Sequence, residues 1–237
     1  MADEAVRREA VRIPAGAGWI EGEFNLPSPA CGIVLFAHGS GSSRKSPRNQ
    51  FVAASLQEAG LGTLLMDLLT QEEELADLEG GHLRFDIPFL ADRLKAATLW
   101  LEARPEARGL PLGYFGASTG AAAALVAAAE VGGPVKAIVS RGGRPDLAGE
   151  ALERVKAPTL LIVGSRDSDV LALNRAALAR LGKASKLSVV PGASHLFEEP
   201  GTLAEVARLA SGWLRGHLDS AWAPSRADLL DASVRGE

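Results

Sequence analysis

Short apolar runs of strand length recur along the chain, and helical patterns separate them. The runs are rich in Val, Ile, Leu and Phe, and most are followed by a Gly, an Asp or a Ser. Continuous apolar runs of this length are typical of strands buried on both faces, as in a parallel sheet packed between helices. The runs cover residues 33–37, 63–66, 112–115, 135–139, 159–163 and 187–190.

Helical periodicity fills the intervals between these runs, at residues 49–59, 85–103, 118–130, 170–181 and 202–218. Residues 18–26 instead alternate roughly between apolar and polar side chains, which is typical of a half-buried antiparallel strand. The alternation of strand and helix predicts an α/β doubly wound fold with helices on both faces of the sheet and an antiparallel hairpin before it. Ligands of such sheets bind at the carboxyl ends of the strands.

Two segments fall outside this alternation. Residues 71–84 form a polar insertion with an acidic run, which predicts a surface loop. Residues 219–237 contain Pro224 and predict a tail that is either frayed or docked. We therefore expect one catalytic domain over residues 1–218, with no large cap domain between the sixth strand and Asp167.

Composition narrows the class of protein. Of the 237 residues 47% are hydrophobic and 23% are charged, so the chain can build a core and does not have the composition of a disordered protein. The 25 basic and 29 acidic residues leave no basic surface for nucleic acid. A single cysteine, Cys31, excludes an internal disulfide framework and a cysteine-based zinc cluster.

The sequence also indicates where in the cell the protein is expected. The most apolar stretch, residues 121–129, is far shorter than the roughly 20 residues that span a bilayer. Four of the first eight residues are charged, and no apolar segment of a secretory signal follows them. We expect a cytoplasmic protein, monomeric or homodimeric, without nucleic-acid or membrane partners.

A possible nucleophile follows the fifth strand. Gly116-Ala-Ser118-Thr-Gly120 is a G-x-S-x-G pattern between a strand and a helix, where a serine can be exposed on a sharp turn. The glycines leave room for the backbone to pack closely. An ordinary helix N-cap at Ser118 is the alternative.

Two further residues supply partners for Ser118. Asp167 follows one strand and His195 follows the next, which gives the chain order Ser, Asp, His of α/β-hydrolase triads. Asp146, after the sixth strand, is the alternative acid. A triad of Ser118, Asp167 and His195 needs neither metal nor cofactor, and no histidine pair has metal-ligand spacing.

These motifs, with His38-Gly-Ser40-Gly41 after the third strand, resemble the α/β-hydrolase superfamily and its small dienelactone-hydrolase-like members. The resemblance implies a mostly parallel eight-stranded sheet. It also implies an oxyanion hole made by the backbone N–H groups of Thr119 and Ser40, with Gly41 as the second choice for the latter. Dienelactone hydrolases carry a cysteine nucleophile, whereas this chain has Ser118, which favours ordinary ester chemistry.

The segment 39–46 could alternatively be a nucleotide-binding loop. It nearly matches the P-loop pattern of nucleotide-binding proteins, but Arg44 stands where the second glycine is needed and would obstruct the phosphate cradle. His38, at the start of this segment, is expected to hydrogen-bond its own loop.

Basic residues could also recognise the substrate. Arg44 and Arg141 lie after strands, at the edge where the active site is expected, and together with Gly41 they are our candidate substrate-binding residues. Arginine binds carboxylates through two parallel hydrogen bonds, although solvated surface charges are the simpler account.

Taken together, the sequence predicts a serine hydrolase that cleaves a small soluble carboxylic ester through an acyl-enzyme. The alternatives are a lactone, dienelactone or thioester hydrolase acting on a carboxylate-bearing substrate, and a non-catalytic binding module with the same fold.

Overall fold

A computed structural model describes residues 6–219 of the chain. An eight-stranded sheet crosses the protein in the spatial order β1-β2-β4-β3-β5-β6-β7-β8. The first two strands and the β2/β4 pair are antiparallel, and every other neighbouring pair is parallel. The strands are β1 (Arg7–Ala15), β2 (Gly18–Leu26), β3 (Ile33–Ala37), β4 (Gly62–Met66), β5 (Leu112–Ala117), β6 (Val135–Arg141), β7 (Thr159–Gly164) and β8 (Lys186–Val190).

The predicted α/β architecture is confirmed. Every residue of β3, β4, β5 and β7 is buried, because helices cover both faces of the sheet and apolar side chains can point either way. In β1 and β2 buried and exposed residues alternate over much of each strand, as one solvated face requires.

The described part of the chain forms six α-helices around the sheet. Residues of α1 and α6 pack on one face, while α3, α4 and α5 pack on the other. The helices are α1 (Pro47–Glu58), α2 (Gln71–Gly80), α3 (Ile87–Glu102), α4 (Thr119–Val131), α5 (Ser168–Leu178) and α6 (Thr202–Leu218). Between β6 and β7 the described chain forms a 3-10 segment, Pro145–Arg154, and no cap domain.

The prediction of a surface loop over residues 71–84 is wrong, because this segment forms α2 and a short 3-10 turn. A reciprocal capping box begins the helix: the Glu73 amide donates to Thr70 Oγ1 at 3.2 Å, and Glu73 Oε2 accepts from the Thr70 amide at 2.8 Å. Asp77 is buried and pairs with Arg84, and Arg93 of α3 pairs with Glu73. These contacts hold a polar helix against the body of the protein.

The predicted C-terminal tail cannot be compared with the structure. It falls almost wholly on residues 220–237, which lie outside the described residues. Within residues 6–219, no helix has the length and apolar character needed to cross a membrane.

Candidate active site

Ser118 lies on a strained turn between β5 and α4. Its backbone has φ 50° and ψ −121°, a conformation that residues with side chains rarely adopt. The flanking glycines make this possible. A Cβ on Gly116 would collide with the backbone of Ala121, and one on Gly120 would collide with the carbonyl oxygens of Ala37 and His38.

Hydrogen bonds secure both sides of this turn. The Ser118 amide donates to the carbonyl of Arg141 at 3.3 Å, and the Ser118 carbonyl accepts from the amides of Ala121 and Arg144, both at 3.1 Å. Strain of this kind persists only where the surroundings impose it, and it is concentrated at functional sites. The turn therefore has the geometry of a nucleophile elbow.

The structure places His195 and Asp167 in direct contact. Asp167 follows β7, His195 follows β8, and the Nδ1 atom of His195 lies 2.6 Å from Oδ2 of Asp167. The imidazole is 40% exposed and the carboxylate 15%, so the ring can be reached from solvent while its partner is sheltered. Asp146, the alternative acid, instead forms two hydrogen bonds with Arg144 at 2.9 and 2.7 Å.

The loop that carries His195 is itself held in an unusual conformation. Phe197 is buried and has a positive φ of 56°. Glu199 accepts the Ser194 amide at 3.1 Å, and this backbone hydrogen bond holds the pKa of the Glu199 carboxyl below its usual value. The sequence analysis did not single out Phe197 or Glu199, because neither belongs to a motif.

The end of β6 connects the elbow to the histidine. The Arg141 carbonyl accepts the Ser118 amide, and the next residue, Gly142, lies so close to His195 that an added Cβ would be 3.5 Å from Nδ1. On the other side of the elbow, Gly39 faces the Cβ of Ser118, at a distance of 3.0 Å from an added Cβ. Ser118, Asp167 and His195 thus all follow strands at the carboxyl end of the sheet, where His195 contacts Asp167; among the described residues Ser118 forms no hydrogen bond with His195.

The loop after β3 contacts the elbow through a hydrogen bond that the sequence does not reveal. The Ser40 amide, predicted to face an oxyanion, donates to Oγ1 of Thr119 at 2.9 Å. Gly41 has a φ of 74°, and its α-carbon faces open space. Ser40 and Thr119 are therefore in direct contact, but the Ser40 amide that was predicted to donate to the oxyanion donates to the threonine hydroxyl in this structure.

His38 fixes the start of the same loop. Its Nδ1 donates to the Gly39 carbonyl at 2.9 Å, and its Nε2 accepts the Leu68 amide at 3.2 Å. The acceptor role of Nε2 requires the neutral ring, and burial lowers the pKa of His38 in agreement with it. His38 holds its own loop, as expected.

The two predicted substrate-binding arginines have different surroundings. Arg44 pairs with Asp67 and with Glu21, the latter at 2.6 Å, so its charge is compensated within the protein and it anchors the loop. Arg141 is only 8% exposed, and within residues 6–219 its Nη1 atom has no hydrogen-bond partner.

A cavity of about 580 Å³ lies between the loop after β3 and α2. Ser40, Lys45, Arg48 and Leu78 are among its lining residues, whereas Ser118 and His195 are not. The cavity is therefore connected to the turn at Ser118 through Ser40, whose amide contacts Thr119. It is large enough for the non-reacting part of a small substrate.

Fold and site together define an α/β hydrolase with a serine elbow. The chain belongs to the dienelactone hydrolase family, whose model matches residues 26–215. A dienelactone hydrolase from Anabaena variabilis is 59% identical over 90% of this chain and 99% of its own, with a TM-score of 0.88. Est1E from Butyrivibrio proteoclasticus is 15% identical with a TM-score of 0.74, covers 87% of this chain and 98% of its own, and shares the fold.

Two curated relatives from Mycobacterium tuberculosis are named as transferases and not as hydrolases. Two proteins, each called "Putative phosphoribosyl transferase", are 56% identical over 217 residues, which is 92% of this chain and 48% of theirs. The chain therefore spans about half the length of the curated relatives it matches.

Because backbone packs so closely around Gly120, we expect a side chain at this position to destabilise the protein. Gly120→Ala should lower the free energy of unfolding by about 3 kcal/mol, because the new methyl group meets backbone carbonyls that cannot move aside. Gly133→Ala is the matched control, since an added Cβ there has nothing within 4 Å. Chemical denaturation of both variants measures the difference, and equal stabilities would contradict the packing described.

Proposed function

We propose that this protein is a serine hydrolase that cleaves small carboxylic esters through an acyl-enzyme. The observation that carries the proposal is the hydrogen bond between His195 Nδ1 and Asp167. It lies at the carboxyl end of the sheet, where the strained Ser118 also lies. Membership of a hydrolase family supports the same chemistry.

In the proposed mechanism His195 takes the proton of Ser118 as the serine oxygen attacks the acyl carbon. Asp167 accepts a hydrogen bond from the Nδ1–H group of His195, which fixes the tautomer that leaves Nε2 free as the base. The ionised carboxylate also stabilises the imidazolium that forms. The alcohol leaves with the proton from His195. Water then attacks the acyl-enzyme with His195 again as the base.

The tetrahedral oxyanion needs donors that are already in place. Thr119 begins α4, so its amide is one of the unpaired N–H groups at a helix N-terminus. Its hydroxyl accepts the Ser40 amide, and no described residue accepts the hydroxyl proton. We infer that this proton is donated to the oxyanion, while the Ser40 amide orients and polarises the hydroxyl.

The transferase name of the mycobacterial relatives does not displace this proposal. The 217 residues that they share with this chain comprise nearly all of the match to the hydrolase family. We infer that the transferase name refers to the other half of those proteins.

The triad is tested by steady-state hydrolysis of p-nitrophenyl butyrate. Ser118→Ala and His195→Ala should each lower kcat by about 10⁴- to 10⁶-fold, and the double variant should be no slower, because the two side chains act as one unit. Asp146→Asn is the control and should retain full activity.

The same hydrolysis assays distinguish the proposed esterase from the alternative functions. A folded wild-type protein that cleaves no ester would favour a non-catalytic binding module. Faster cleavage of lactones or thioesters than of p-nitrophenyl acetate and butyrate would favour the corresponding hydrolase.

The role of the Thr119 hydroxyl is tested by a matched pair of variants. Thr119→Val removes the hydroxyl at nearly constant shape and should lower kcat by about 10²-fold, the usual effect of losing one oxyanion donor. Thr119→Ser keeps the hydroxyl and should lose far less. A Thr119→Val enzyme as fast as the wild type would show that the Ser40 amide serves the oxyanion unaided.

A further inference from the structure

Asn174 is a fully buried polar residue that the mechanism described above does not use. It lies on α5, the helix that begins directly after Asp167. Its amide nitrogen Nδ2 donates to the carbonyl of Gly143 at 2.9 Å and to the carbonyl of Val170 at 2.8 Å. A buried polar group is costly unless it is hydrogen-bonded, so these two bonds indicate what the side chain is there to hold.

The two acceptors fix the direction of the Asn174 amide. Both are carbonyl oxygens, so they can be satisfied by the NH2 group and not by the side-chain oxygen. The bond to Val170 lies within α5, whereas the bond to Gly143 joins residues 31 apart. Gly143 belongs to the turn after β6, residues 142–144. Asn174 therefore connects the helix after the triad acid to this turn.

The peptide group between Gly143 and Arg144 carries this contact to the elbow. Its C=O accepts from Asn174, and its N–H, the Arg144 amide, donates to the Ser118 carbonyl at 3.1 Å. A trans peptide group is planar, and its C=O and N–H point in opposite directions. The bond from Asn174 therefore sets the plane from which the Arg144 amide reaches Ser118.

A second peptide group leads from there to the oxyanion. The Ser118 carbonyl and the Thr119 amide belong to the same planar unit, and that amide is a proposed oxyanion donor. The Ser118 carbonyl also accepts the Ala121 amide, which lies in the first turn of α4. The bond from Arg144 thus ties this unit to a part of the protein outside the elbow and its helix.

Close packing leaves the turn after β6 little freedom to move. An added Cβ on Gly143 would lie 1.9 Å from Ser140 Oγ and 2.7 Å from the Ala121 side chain. One on Gly142 would lie 3.1 Å from the His195 carbonyl oxygen. Packed interiors transmit displacement, so a shift of this turn would reach both the elbow and the histidine loop.

We propose that Asn174 is a positioning residue that orients the Thr119 amide toward the oxyanion. It acts through two peptide groups in series, Gly143–Arg144 and Ser118–Thr119, and does not itself touch the substrate. The proposal rests on the proposed ester hydrolysis, since an oxyanion donor has its role in acyl transfer. Oxyanion donors are effective because they are held in place before the charge develops, which is the role assigned to Asn174.

Two variants that remove the donor test this role by hydrolysis of p-nitrophenyl butyrate. Asn174→Ala leaves a small cavity, whereas Asn174→Leu fills the space with an apolar side chain. We expect each to lower kcat by about 10- to 50-fold, less than the 10²- to 10³-fold cost of losing an oxyanion donor outright. KM should change by less than about twofold, because the contact acts in the transition state.

Thr98→Val is the matched control for lost stability. Thr98 is also fully buried, and its hydroxyl hydrogen-bonds the Leu94 carbonyl and the Tyr114 hydroxyl. Its loss should lower Tm and leave kcat unchanged, in assays at a temperature where circular dichroism shows every variant folded. Either Asn174 variant with the wild-type kcat would overturn the proposal, as would a kcat that follows Tm across the three variants.

A tetrahedral inhibitor assigns the effect to the oxyanion. The boron of n-butylboronic acid accepts an electron pair from the serine oxygen, and the resulting anionic adduct resembles the transition state. Its inhibition constant should rise in both Asn174 variants by about the factor by which kcat falls, and should not rise in Thr98→Val. An unchanged inhibition constant beside a lowered kcat would overturn the assignment.

The amide resonance of Thr119 in a ¹H–¹⁵N NMR spectrum gives a readout that does not depend on catalysis. It should move in both Asn174 variants and stay in place in Thr98→Val. If the wild type cleaves no ester but the resonance moves as expected, the positioning by Asn174 is supported and the hydrolysis is overturned. If the wild type is an esterase and the resonance stays in place, the positioning is overturned and the hydrolysis remains. Absence of both effects overturns both.

Discussion

The backbone conformation of Ser118 is the constraint on which the site depends. A positive φ at a residue with a side chain is tolerated only because Gly116 and Gly120 let neighbouring backbone approach closely. The elbow ends β5, whose neighbours in the sheet are β3 and β6. The loop after β3 therefore lies on one side of Ser118, and the Arg141–Gly142 segment at the end of β6 lies on the other.

Much of this arrangement could be predicted from the sequence, because the signals are local. The apolar run at residues 33–37 coincides with β3, and the periodic segment 202–218 coincides with α6. The G-x-S-x-G pattern and the residues after β7 and β8 could be placed at one edge because parallel strands share a direction. The contact between His195 and Asp167 then follows from the order of the strands.

What could not be predicted depends on contacts between distant parts of the chain. The helix at residues 71–80 has few apolar side chains to show a period, and its ion pair with Arg93 is twenty residues away. The bond from the Ser40 amide to Thr119 joins residues 79 apart. Arg44 and Arg141 are alike in sequence terms, yet one meets two carboxylates and the other meets none among the described residues.

The most direct test of the central claim is the intact mass of the protein after incubation with a fluorophosphonate, which reacts with an activated serine. We predict a single covalent adduct on the native protein, mapped to the peptide that contains Ser118 and absent from Ser118→Ala. A folded native protein that gains no adduct, or an adduct that persists in Ser118→Ala, would contradict the account.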